Sequence, residues 1–185
     1  MNKVHQALLT NFMFLLMFIS INTSAQTVDA QTVNEYRLGS GDTIKITVFG
    51  QQDLSIETLL NDSGKVDYPF LGQLQASGLT LAEFQQQIHL GLKGDYLVNP
   101  NVSVSIVEYR PFFIDGEVKK PGGYPFQPGL TVSKAAALAG GYTERASLTK
   151  VFIIRSNDPE QKSVNVKGNT VVRPGDIVTI KQSYF

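Results

Sequence analysis

The chain has 185 residues, with 16 Lys and Arg set against 16 Asp and Glu, no cysteine and no tryptophan. A neutral chain without a Lys/Arg cluster argues against nucleic acid as a partner. The missing cysteines close off both disulfide stapling and lipidation at a cleavage-site Cys.

The first segment is set aside from fold reasoning. Lys3 gives a short positive end, Leu8 to Ile21 is a mostly apolar run, and Thr23-Ser24-Ala25 is an acceptable small-residue cleavage site. Residues 1–25 therefore read as a secretory signal peptide, with a second candidate cut after Ala30. A retained membrane anchor is the competing reading, and the run is short for one. Removing the segment leaves about 160 residues, enough for one ordinary domain or two small ones. It also takes one Lys with it, so 15 basic against 16 acidic groups remain and the net charge is −1.

After a polar, flexible leader at 26–35, the turn Gly39-Ser40-Gly41-Asp42 feeds a strand from Thr43 to Phe49, with Ile44, Ile46 and Val48 on one face. Leu54 to Leu60 and Lys65 to Leu74 are expected strands, joined by a turn at Asn61 to Gly64; Pro69 makes the second an edge or a broken strand. Thr80 with Glu83 spells a capping box, and Leu79 with Phe84 a hydrophobic staple. Leu81, Phe84, Ile88 and Leu92 then trace one helix face, with Gln85, Gln86 and Gln87 turned outward. Asn99-Pro100-Asn101 opens a strand in which Val102, Val104 and Ile106 alternate with Asn101, Ser103 and Ser105. The polar side is either solvated or meets a hydrated partner.

A domain seam is expected near Arg110, dividing 36–110 from 111–185. Phe112 to Val118 reads as a strand, Lys119 to Gly123 as a reversal and Tyr124 to Phe126 as the return arm. Thr131 can cap a helix whose Val132, Ala135, Ala136 and Ala139 share a face, with Val132 and Leu138 expected to supply most of its apolar bulk; Gly140-Gly141 ends it. Strands follow at Lys150 to Arg155 and Ser163 to Val166. The chain then closes through Val171 to Ile180, where Gly175-Asp176 with Val178 and Ile180 repeats the spacing of Gly41-Asp42 with Ile44 and Ile46. Both aspartates are read as turn-fixing residues bonded to nearby N–H groups.

Chemistry is sparse. His89 is the one histidine beyond the leader and has no Cys or second His to join it, so no metal site is expected. No serine stands in G-x-S-x-G or S-x-x-K, and no glycine-rich phosphate loop has the required frame. Asp62/Asp67 and Asp115/Glu117 are the nearest carboxylate pairs. Asp115 and Glu117 are placed on one strand face, with Lys119, Lys120 or solvent relieving their repulsion. The expectation is an α+β protein that is not an enzyme, with no catalytic, cofactor-binding or metal residues. The terminal Tyr184-Phe185 is like the end of an outer-membrane barrel, but strands this few and short, interrupted by helices, argue for coincidence or a packed terminal strand.

Taken together the motifs resemble the periplasmic and outer-membrane polysaccharide export proteins. The first half carries Tyr36-x-Leu38-Gly39-x-Gly41-Asp42-x-Ile44-x-Ile46, Gly64-x-Val66-x-Tyr68-Pro69 with Gly72, Leu79-Thr80, and Asn99-Pro100-x-Val102-x-Val104. The second half is similar to the soluble-ligand-binding β-grasp (SLBB) domain of those proteins: Gly116-Glu117-Val118-x-x-Pro121-Gly122-x-Tyr124, Leu130-Thr131-Val132 with Ala135-Ala136, Gly140-Gly141, and Arg173-Pro174-Gly175-Asp176. The resemblance implies a small export domain, a mixed sheet with one main helix, followed by a β-grasp-like domain. It implies homo-oligomeric rings in the periplasm through which a capsular polysaccharide or exopolysaccharide passes, together with an inner-membrane co-polymerase. The chain departs from the lipid-anchored members in lacking the lipobox Cys and a C-terminal pore helix after the β-grasp domain. It looks like the short type, for which a separate outer-membrane β-barrel supplies the exit. On that reading Asn101, Ser103 and Ser105 are candidate glycan contacts, and Pro121, Gly122 and Tyr124 a candidate subunit surface. A monomeric periplasmic carbohydrate-binding module is the alternative, with Tyr109, Phe113 and Tyr124 as its aromatic platform.

Overall fold

The computed structural model describes residues 36–183. The expected signal peptide, the leader and Tyr184-Phe185 lie outside the described residues.

The first half contains strands β1 (Thr43–Val48), β2 (Ile56–Leu59), β3 (Lys65–Tyr68) and β4 (Gly72–Gln75), helix α1 (Leu81–Leu92) and strand β5 (Val102–Glu108). The order β2-β1-β5 makes a three-stranded sheet, antiparallel on both sides of β1. The register sets Ile44 against Ile106, Ile46 against Val104 and Val48 against Val102, so the alternation puts one apolar face under α1. From the helix Phe84, Ile88 and Leu92, all fully buried, close that core. Helix α1 begins where its sequence signals it: Glu83 N donates to Thr80 Oγ1 at 3.2 Å, and Thr80 N donates to Glu83 Oε2 at 2.7 Å. Gln87 is half-buried, unlike the exposed Gln85 and Gln86.

The stretch Lys65 to Leu74 is two strands, β3 and β4, paired from Lys65 with Gln75 to Tyr68 with Gly72. Pro69 marks the reversal: Leu71 N donates to Pro69 O at 2.8 Å, and positive φ values at Phe70 (64°) and Gly72 (67°) turn the chain back. Tyr68, buried beside this turn, donates its hydroxyl to Leu54 O at 2.7 Å, and burial pushes its pKa up to about 12. Leu54 itself belongs to a short 3₁₀ turn, Gln52–Leu54, so the following strand starts two residues later than its sequence suggests.

The second half contains β6 (Phe112–Gly116), β7 (Gly122–Tyr124), helix α2 (Val132–Leu138), β8 (Ala146–Ile154), β9 (Ser163–Val166) and β10 (Ile177–Gln182). Their order is β7-β6-β10-β8-β9, with β6 and β10 parallel at the centre and the other neighbours antiparallel. This is the β-grasp arrangement, with α2 lying across one face. Val132, Ala135, Ala136 and Ala139 are fully buried there, against Phe112, Ile114, Val151, Ile153, Val178 and Ile180. Small helix residues let α2 settle close on the sheet. Leu138 is 45% exposed and supplies no bulk to this core. At about 100° per residue it falls roughly 110° from the centre of the alanine face. The sheet supplies the bulk instead. Gly140 N donates to Ala137 O at 3.0 Å and Gly141 N to Ala136 O at 2.8 Å, the paired bonds of a Schellman cap.

Strand β6 stops at Gly116, two residues before Val118. Gly116 has φ 81°, and a Cβ on it would stand 2.1 Å from Ile180 O, so only glycine lets β6 pass β10 there. Strand β8 starts at Ala146, four residues before its sequence pattern suggests.

Candidate functional site

The two Gly-Asp repeats fold alike. In each, an aspartate N–H closes a turn onto the carbonyl three residues back, Asp42 to Gly39 at 3.1 Å and Asp176 to Arg173 at 3.2 Å. Gly41 (φ 90°) and Gly175 (φ 81°) occupy the left-handed third position, and Pro174 takes the second, as a type II turn requires. Each carboxylate then reaches back to the first residue of its own turn: Gly39 N donates to Asp42 Oδ2 at 2.9 Å, and Arg173 N to Asp176 Oδ2 at 2.7 Å. The other oxygen takes an N–H from the end of a neighbouring strand, Arg110 N at 2.9 Å or Ser156 N at 3.2 Å. A guanidinium completes each set, with Arg110 Nη1 3.1 Å from Asp42 Oδ2 and Arg155 Nη1 2.6 Å from Asp176 Oδ2.

Both carboxylates are buried, 0% and 1% exposed. A buried carboxylate is tolerated when paired and hydrogen-bonded, and both are saturated with donors. Spacing and turn chemistry point to Gly41, Asp42, Gly175 and Asp176, and give neither Arg110 nor Arg155 a role beside them. Their signal was positional, since Arg110 and Arg155 each stand just beyond a long strand that pairs beside a Gly-Asp turn.

Arg110 touches both turns. Its Nη1 donates to Tyr36 Oη at 3.0 Å, its guanidinium carbon lies 5.5 Å from the Tyr36 ring centre, and Nη2 is 3.5 Å from Ser156 Oγ. A Cβ on Gly39 would lie 2.2 Å from Arg110 Nη1, and one on Gly175 2.8 Å from its Nε, so a glycine in each turn makes room for the same side chain. Tyr36 donates to both Asp42 oxygens at 2.6 and 2.7 Å. Burial, and then the bond to Asp42, drive the Tyr36 pKa far above the usual phenol value. The edge-on series Tyr36, Tyr109, Phe126, with centres 5.2 Å apart at each step, adds apolar contact across the seam. Burial and the Asp42 charge also raise the pKa of Tyr109.

Away from the seam, Asn101 and Ser105 are exposed and Ser103 half-buried, on the face of the β2-β1-β5 sheet opposite α1. There Lys45 lies opposite Glu57 on one side and Ser105 on the other, and Thr47 opposite Ser103. Pro121 and Gly122 are exposed at the β6–β7 turn. Tyr124 is committed inward: its ring stacks on Phe112 at 6.0 Å and its hydroxyl donates to Lys120 O at 2.6 Å. Tyr109, Phe113 and Tyr124 share no ring contact.

Glu117 lies beyond the end of β6, so it is not on one strand face with Asp115. Its partners are Thr143 Oγ1 and Arg145, the latter at 3.7 Å, and neither Lys119 nor Lys120. His89 Nδ1 meets Pro100 O at 2.9 Å. Among the described residues no group of three His, Cys, Asp or Glu could hold a metal. An exposed aromatic pair, Phe70 stacked on Tyr96 at 5.2 Å, carried no signal in the sequence because the contact spans two loops.

A family model described as polysaccharide biosynthesis/export protein matches residues 30–107, and the SLBB domain model matches residues 111–162. The chain belongs to the polysaccharide export protein family. Among the relatives of this chain, the exopolysaccharide production protein ExoF of Rhizobium meliloti (strain 1021) is 38% identical over 122 residues, covering 58% of this chain and 28% of that one. The EPS I polysaccharide export outer membrane protein EpsA of Ralstonia nicotianae is 24% identical over 181 residues, covering 80% of this chain and 47% of that one. The polysialic acid transport protein KpsD of Escherichia coli is 24% identical over 126 residues, covering 66% and 23%. The chain thus spans less than half the length of these relatives. The interval between the two matched segments, 108–110, contains Arg110, which pairs with Asp42 in the first Gly-Asp turn and lies against Gly175 of the second.

Proposed function

We propose that this chain is a non-enzymatic component of a capsular polysaccharide or exopolysaccharide export machine, and that its copies form or complete a periplasmic ring through which the polymer passes toward the outer membrane. The observation that carries the reading is the matched export domain followed directly by a matched SLBB domain. The polar open face of the β2-β1-β5 sheet, with Asn101, Ser103 and Ser105, supports it physically. Hydroxyl and amide groups there can exchange hydrogen bonds with a passing glycan without holding it, as a conducting path requires. The two buried carboxylates accept from backbone N–H groups and arginines of their own turns and neighbouring strands, which gives them a place in the fold.

An inner-membrane co-polymerase would feed the ring, a separate outer-membrane β-barrel would provide the exit, and Pro121 and Gly122 would take part in subunit contact. The monomeric carbohydrate-binding alternative loses its platform, because Tyr109 and Tyr124 are engaged by other rings. Among the described residues no helix is long and apolar enough to cross a membrane. The deciding experiment deletes the gene and follows polymer. Loss of surface polymer with internal accumulation of polymer or precursor is expected, and unchanged surface polymer would overturn the proposal.

A further inference from the structure

Beside the second Gly-Asp turn lies a shallow, open cleft of about 240 Å³, lined by Ile154, Arg155, Ser156, Gln161, Gly175 and Ile177. Its volume is below the roughly 300–1,000 Å³ of drug-sized sites, so it suits one small unit. Its apolar part is the pair Ile154 on β8 and Ile177 on β10, which stand opposite each other in the strand register. The rim is polar and partly unused. Arg155 uses Nη1 for Asp176 and Val171 O, and its Nε and Nη2 have no partner among the described residues. The Gln161 side-chain amide likewise has none.

Gln161 and Phe70 are the two non-glycine residues among those described with positive φ, and Gln161 (φ 47°) lines this cleft. Its loop is held in shape. Asp158 accepts from Glu160 N at 3.0 Å and from Lys162 N at 2.9 Å, while Gln161 N donates to Asp158 O at 3.1 Å. An uncommon backbone conformation fixed by its surroundings, on a residue with a free amide at a cleft, points to a ligand contact. No acidic residue lines the cleft.

From these features we infer that the cleft is a subsite for one pyranose unit of the exported polymer, its C–H face resting on Ile154 and Ile177 and its hydroxyl or carboxylate groups meeting Gln161, Ser156 and the free Arg155 donors. The inference rests on the export reading for the source of the sugar. A transit subsite binds weakly, because the polymer must leave it again.

The test uses the full chain labelled with ¹⁵N and titrated with glucose, with glucuronate and, as comparator, with glycerol. Saturable shifts of the Ser156, Gln161 and Gly175 amides with either sugar, absent with glycerol, are expected. Gln161→Gly keeps the backbone conformation and removes the amide, and should weaken binding about fivefold, as the loss of one hydrogen bond implies. Ile177→Ala, at a half-exposed position in the cleft, should weaken it as well. No shifts at the cleft, equal shifts with glycerol, or unchanged affinity in both variants would overturn the subsite. If gene deletion abolishes surface polymer while the cleft stays silent, the subsite fails alone. If the cleft binds sugar but deletion leaves surface polymer intact, the export reading fails, and with it the assignment of that sugar to the exported polymer.

Discussion

The two sheets follow one plan and end in different surfaces. Each has one face covered by a helix, α1 or α2, and one face open. The open face of the first carries Lys45, Thr47, Glu57, Ser103 and Ser105, with Leu59 on its edge strand β2; that of the second carries Phe113, Phe152, Ile154 and Ile177 together with Asp115, Thr179 and Asn165. Strand alternation produces both, since every second residue faces away from the helix. The first keeps its exposed Leu59 on an edge strand and polar side chains at its centre, whereas the second leaves Phe113 47% and Ile177 38% exposed on inner strands. Folding alone accounts for the covered faces, so the open ones are where function has room to choose residues.

The aspartates offer the sharpest contrast between the halves. Asp42→Ala strips a carboxylate that accepts from Tyr36, Gly39 and both the backbone and side chain of Arg110, and leaves that arginine partly buried without its anion. A loss of about 3–5 kcal/mol is expected from denaturant unfolding. Asp176→Ala removes three donors' acceptor instead of four and should cost less. Equal losses would break the comparison, by showing that the Tyr36 and seam contacts add nothing.

Next in size is α2 against its sheet. Val132→Ala, at a fully buried site, should cost about 1–2 kcal/mol. Leu138→Ser should stay within about 0.5 kcal/mol in the same melts. A large effect at Leu138 would mean that its face is covered in solution.

In the first half, Thr80→Ala removes the α1 cap and should cost about 1 kcal/mol. Glu83 adds a pH dependence. Its carboxyl is held below its ordinary value of 4.5, first by the Thr80 backbone N–H and then by Arg37. A carboxyl with a depressed folded pKa stabilises fully above its unfolded value and loses that contribution as pH falls through the folded one. The stability gap between the native chain and Glu83→Gln should therefore be steady at neutral pH and close below 4.5. A gap that persists in acid would assign the effect to packing.

The smallest effects belong to the open faces. Ser103→Ala and Ser105→Ala should leave the unfolding midpoint within about 0.5 kcal/mol of the native chain. Phe113→Ser with Ile177→Ser should likewise spare folding while reducing binding of a hydrophobic dye. If the serine changes alone altered dye binding, the contrast between the two surfaces would be wrong.

Local chemistry made much of this legible. Thr80 with Glu83, Gly140-Gly141 after the alanine helix, and the Gly-Asp turns each depend on residues within a few positions of one another, where φ preference and short-range hydrogen bonds decide the conformation. The alternation of Ile44, Ile46 and Val48 likewise reported a covered face. The errors arose where a longer reach decided. Lys65 to Leu74 became a hairpin because Pro69 and the left-handed Phe70 reverse the chain instead of merely interrupting a strand. Leu138 has the side chain of a core residue, but the register of α2 carries it off the buried face. Glu117 found Arg145, 28 positions away, in preference to its lysine neighbours.

By itself the sequence determined the α+β class, the order of its turns and caps, and the motifs that place it in its family, because these are written in spacing and composition. Only the tertiary structure decided that Arg110 would pair with Asp42 and lie against Gly175 of the second turn, that Tyr36 would cap Asp42, and that Gln161 would line a cleft with Ile154 and Ile177. Each of those contacts joins segments brought together by strand pairing and core burial, and no pattern along the chain encodes which distant donor a buried carboxylate will meet.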